Sequence, residues 1–181
     1  MRARGGFARA GERDTLDVTK TMGEPRNRRA FRLSFLSSDT EVVDPKALEV
    51  LARVQSVPAW DGATISPVNG QFPRTHITWH AGAGFNVHCF ADEFSFGHFL
   101  VSKNHFSPTA VEINLGGQAL ERWPRELFVP ESLAAEALEY FLEHRGLKPS
   151  LSWTRTGEFP RESIWQGRKE REAWERRHQS Q

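Results

Sequence analysis

Apolar residues between positions 31 and 115 recur mainly at every second place, the spacing of strands with one buried face. Phe31, Leu33 and Phe35 alternate with Arg32 and Ser34. Asp44-Pro45 then predicts a helix start, with Asp capping free amides and Pro tolerated in the first turn. On that helix Leu48, Leu51, Ala52 and Gln55 share one face, and Pro58 ends it. The turn pairs Asp61-Gly62 and Asn69-Gly70 bracket a short strand, Ala63 to Val68. Three more strands are predicted around Ile77 and Trp79, around Phe85, Val87 and Cys89, and around Phe99 and Val101. Turns centred near residues 84 and 93 join them. Val111, Ile113 and Leu115 add a fourth strand of the same odd parity. Antiparallel strands with one apolar face need a cover for it.

The run Pro130 to Arg145 supplies one, with Leu133, Ala137, Leu138, Phe141 and Leu142 at helical spacing. His144 and Arg145 suit its negative end, Gly146 suits a left-handed position after it, and Pro149 stops continuation. A short strand, Leu151 to Trp153, closes the pattern. The expected fold is α+β: a mainly antiparallel sheet whose apolar face is covered by two helices. Residues 29–158 form that domain. Residues 1–28, rich in Arg, Gly, Thr and Glu, read as a disordered basic tail, with Met22 as a candidate start. Residues 159–181 read as a charged, helix-compatible tail in which Trp165 and Trp174 are isolated apolar points.

Charge changes the picture, because a net +1 conceals an asymmetry. Residues 1–32 carry +5 and residues 161–181 carry +2, whereas 33–160 hold nine basic against fifteen acidic side chains, a net −6. A nucleic-acid binder concentrates positive charge on its folded part, so direct nucleic-acid binding is not expected. An acidic domain instead suits a basic partner. No apolar run approaches the roughly 20 residues of a membrane span, and no apolar stretch follows the N-terminal arginines as in a secretory signal. Cys89 is the single cysteine, which excludes an internal disulfide or a cysteine-based zinc cluster and points to a cytoplasmic setting.

Candidate chemistry is sparse. Five of the seven histidines lie between residues 76 and 105. His76 and His80 have the spacing of a helical ligand pair, but the run between them reads as a strand, where four residues span about 13 Å. With turns near 84 and 93, His80, His88 and His98 become lateral neighbours on three strands, an alternative metal site for a small metal-dependent enzyme. No carboxylate in a general-base position accompanies them. No Gly-x-Ser-x-Gly elbow is present, Cys89 has core parity, and Leu115-Gly116-Gly117 lacks the Lys-Ser/Thr of a phosphate loop. No catalytic residue and no cofactor are therefore expected. Phe94 and Phe96 adjoin Asp92 and Glu93, and Trp60 and Trp123 fall in expected loops. Aromatic groups beside acids are a common make-up of protein-binding anchors.

The order of elements resembles the first-numbered family of immunity proteins of bacterial polymorphic-toxin systems, which includes protectors against deaminase toxins. The resemblance covers roughly residues 30–155. It is carried by Gly70-Gln71-Phe72-Pro73 leading into the Ile77 strand, and by Gly97 with Phe99-Leu100-Val101-Ser102-Lys103. In the C-terminal half Leu115-Gly116-Gly117 is followed by Leu127-Phe128-Val129-Pro130, the Leu133–Arg145 helix and Leu151-Ser152-Trp153. Both flanking tails depart from the family pattern. The resemblance implies a non-catalytic protein that binds a co-produced toxin; a monomer binding one to one is expected, and the aromatic and acidic residues Asp92, Glu93, Phe94, Phe96, Trp60 and Trp123 are the candidate contacts.

Overall fold

The computed structural model describes residues 30–93, 97–103, 105–107, 109–114, 120–155 and 158. The two expected tails, Phe94, Phe96 and Leu115 lie outside these residues. The chain runs β1 (Phe31–Phe35), β2 (Ser38–Val43), α1 (Ala47–Gln55), β3 (Ala63–Pro67), β4 (Arg74–His80), β5 (Gly84–Phe90), β6 (His98–Leu100), β7 (Ala110–Asn114), β8 (Leu120–Pro124), α2 (Glu131–His144) and β9 (Trp153–Arg155). Seven strands form one antiparallel sheet in the order β2-β1-β3-β4-β5-β6-β9. Strands β7 and β8 form a separate hairpin. The fold is α+β.

Both helices cover the sheet face that carries Phe31, Leu33, Ala63, Ile65, Ile77, Phe85, Val87 and Cys89. Helix α2 contributes Ala134, Ala137, Leu138 and Phe141, and the Phe141 ring centre lies 5.3 Å from that of Phe31. Leu133 and Leu142 are only partly buried at its flanks. Its left-handed terminal residue is Arg145, at φ 57°, one place earlier than the glycine expected there. Arg145 takes this conformation while its amide bonds the Phe141 carbonyl and its guanidinium lies over the Phe31 ring.

Helix α1 is where the pattern placed it but turned about its axis. Ala47, Val50, Leu51 and Val54 are buried, whereas Leu48 is 59 % exposed and Ala52 and Gln55 face solvent. Only Leu51 belongs to both faces. Asp44 does not cap this helix; its carboxylate accepts from the Phe31 amide at 3.2 Å and closes the β1–β2 end. The polar run Ser38–Val43, which carries no strand signal of its own, pairs with β1 and becomes the sheet edge.

The expected single parity also fails beyond β5. Phe99 stands opposite His88, so it lies on the face away from the helices, and Leu100 takes the core position. Phe99, Val101 and Ile113 join Leu127 and Phe128 in a second cluster under the β7–β8 hairpin. Strand β7 therefore pairs with β8 and does not extend the large sheet. The closing strand begins at Trp153, where the Leu151–Trp153 expectation ended.

Candidate functional site

On the face away from the helices, one row runs across six of the seven strands, from β1 to β9: Ser34, Thr64, His76, His88, Phe99 and Thr154. Among the described residues, the elements packed on β1, β3 and β4 are α1 and α2, which lie on the other face. The hairpin covers only the far end of the row, where Trp123 meets Phe99 edge-on with ring centres 5.1 Å apart. The side chains of Arg32, Ser34, Thr64, Arg74, His76 and Thr78 are consequently half-buried rather than sequestered.

Arg74 is the centre of this surface. It opens β4 directly opposite Phe90, and its guanidinium carbon lies 4.8 Å from the Phe72 ring centre and 5.0 Å from that of Phe90. Phe90 reaches it as its cross-strand partner on the same face, and Phe72 from the segment just before β4. The Phe90 ring in turn lies 4.0 Å from His88, which stacks on Phe99 at 3.6 Å. Two strands away, on β1, the Arg32 Nε donates to Ser66 of β3 at 3.2 Å, and its guanidinium pairs with Glu41 at 3.5 Å. A cationic and aromatic strip thus crosses a domain whose total charge is negative. No sequence pattern marks Arg74, since its setting depends on the register that brings Phe90 opposite.

The imidazoles on this face are held uncharged. Burial, then the Arg74 charge, lowers the His76 pKa. Burial, with His76, Arg74 and His98 adding to it, lowers that of His88 to about 3. The His88 Nε2 is buried with no hydrogen-bond partner among the described residues, and a β-carbon on Gly97 would overlap its ring. Glycine at position 97 is what lets the chain pass over the imidazole.

The alternative metal triad does not assemble. The β4–β5 turn is centred at residue 82 instead of 84, so His80 stands opposite Gly84 and His76, not His80, faces His88. His80 and His88 are therefore about 13 Å apart along the sheet. His98 stands opposite Cys89 on the helix-covered side, where its Nε2 accepts from Arg155 at 3.3 Å. No group of three or more His, Cys, Asp or Glu fit to hold a metal occurs among the described residues. Cys89 is buried, and burial raises its thiol to about 12 despite an opposing hydrogen bond with Thr75.

The remaining candidate contacts are dispersed. Asp92 and Glu93 are exposed just beyond β5, and Trp60 is 45 % exposed before the buried Asp61. Trp123 is not in a loop: it lies on β8, half-buried against the second cluster, with its Nε1 donating to Glu121 at 2.7 Å. A depression of about 380 Å³ is lined by Ser102, Lys103, Arg125, Glu126 and Phe128. Two of its charged groups have structural duties. The Glu126 Oε1 accepts from the Ser107 amide and hydroxyl, and Arg125 donates to the Phe128 carbonyl at 2.9 Å.

Compared with protein-family models, curated proteins and solved structures, the chain has no match. No helix among the described residues is long and apolar enough to cross a membrane.

Proposed function

We propose that this chain is an immunity protein that binds and neutralises a co-produced bacterial toxin, a deaminase or nuclease, in the cytoplasm of the producing cell. One copy covers the toxin's active site or substrate channel, and no turnover is involved. The observation that carries this reading is the chemical state of the open sheet face. It presents charge and aromatic area on a sheet backed by two helices, while its titratable groups are poor catalysts. The His88 imidazole, with a pKa of about 3, is too weak a base for proton abstraction near neutrality, and on the helix-covered face the Cys89 thiol, at about 12, is not a nucleophile either. A surface of this make-up suits binding. The resemblance of residues 30–155 to the immunity family supports the partner class. The exposed Asp92 and Glu93 suit the basic substrate channel of an enzyme that acts on nucleic acid.

The test is co-expression with the product of the gene immediately upstream. A one-to-one complex on gel filtration and restored growth are expected. Equal killing by that toxin with and without this protein, and no complex, would reject the reading.

A further inference from the structure

Arg32 and Arg53 each meet a carboxylate, Glu41 at 3.5 Å and Glu49 at 2.9 Å. Arg74 meets none among the described residues, and its guanidinium lies between two phenyl rings. Rings packed on a guanidinium keep water from its faces, while its N–H donors remain directed in its plane. Thr64, Ser66, His76 and His88, which share the face, add no negative charge there, since both imidazoles are neutral at pH 7. The result is a half-buried, pre-positioned cation with no carboxylate against it among the described residues.

The geometry points to a carboxylate receptor: Arg74, held by Phe72 and Phe90, takes an Asp or Glu side chain of the partner protein. This rests on the reading that the chain binds a partner, and assigns the surface that meets it. The chain's own flanks are poor occupants, since residues 1–32 carry +5 and residues 161–181 carry +2. A nucleic-acid strand is a poor occupant as well. Its repeated phosphates would run from a single fork into a region of net −6, with Asp92 and Glu93 exposed just past Phe90. One carboxylate on a protein surface meets neither obstacle, and it matches the planar, two-donor edge of the guanidinium.

Two arms test this with the full chain. In the first, arginine side-chain N–H resonances are followed by NMR while a capped Gly-Glu-Gly-Glu-Gly peptide is added. The Arg74 resonance, identified by its loss in R74K, should shift saturably, and the Gln counterpart should leave it in place. No Glu-specific shift overturns the assignment, as does a larger response to a short single-stranded oligothymidylate. A concentration-dependent dimer that R74Q abolishes would put a second copy there and overturn it too. In the second arm, R74Q should weaken toxin binding about tenfold to a hundredfold, with R74K recovering only part of it. Unchanged affinity in R74Q sinks the receptor and leaves the immunity reading standing. A Glu-specific peptide response from a protein that binds no toxin sinks the immunity reading and leaves the receptor standing.

Discussion

His88 stands directly opposite His76 across the β4–β5 ladder, and its ring stacks on Phe99 of the next strand at 3.6 Å. That contact fixes the imidazole where water reaches it poorly, and the neighbouring cation at Arg74 discourages protonation further. The same relationship makes acid stability measurable at one residue.

The His88 pKa is about 3 in the folded protein and about 6.5 in an unfolded chain. Between these values the unfolded state binds a proton that the folded state refuses, so stability rises with pH across this range. The contribution is complete above about pH 6.5 and declines as pH falls toward 3. Urea midpoints of the wild type and His88→Leu, measured from pH 7 to pH 4, should show a flatter profile for the variant. Two parallel profiles would mean that another group governs the acid limb.

Core truncations should rank by burial and not by ring size. Phe85 is 2 % exposed and belongs to the main cluster, so Phe85→Ala should cost about 3–5 kcal/mol. Trp79 packs on the same cluster but is only half-buried, and Trp79→Ala should cost less, about 1–3 kcal/mol. Denaturant unfolding of both variants checks the order; a larger loss at Trp79 would contradict this packing.

Two glycines with positive φ should respond differently to alanine. Gly82, at φ 75°, has open space around an added β-carbon, and Gly82→Ala should cost about 1–2 kcal/mol of backbone strain. Gly84, at φ 114°, lies against the Val129 carbonyl, and Phe85 and Val129 exchange backbone hydrogen bonds there. Gly84→Ala combines strain with a backbone clash, so its melting temperature should fall clearly below that of Gly82→Ala. Equal melting temperatures would show that the β5–Val129 junction yields.

The Cys89 thiol is fully enclosed and bonded to Thr75 Oγ1 at 3.1 Å. Alkylation by iodoacetamide at pH 8 should be negligible in the native protein and complete in denaturant. Rapid native labelling would require the β4–β5 region to open readily.

Local pattern determined most of the elements. Period-two alternation marked β1, β4 and β5, because a strand with a buried core face alternates its side chains, and flanking turn pairs marked β3. The α2 stripe was legible for a similar reason, with Ala137, Leu138 and Phe141 recurring at helical spacing. The cationic character of the open face was invisible while the net charge of the region was read as a single number. Tertiary structure decided what depends on register. A turn centred at residue 82 put His76, and not His80, beside His88, and the offset into β6 sent Phe99 to the opposite face from Val87. The strand through Val111 and Ile113 was legible, but its pairing with β8, like strand β2, depends on a partner that its own residues do not announce. Arg74 became a candidate site only because folding placed Phe90 across from it. Side-chain alternation is a property of one strand, whereas register is a property of two, and a shift of one residue reverses which face every side chain takes.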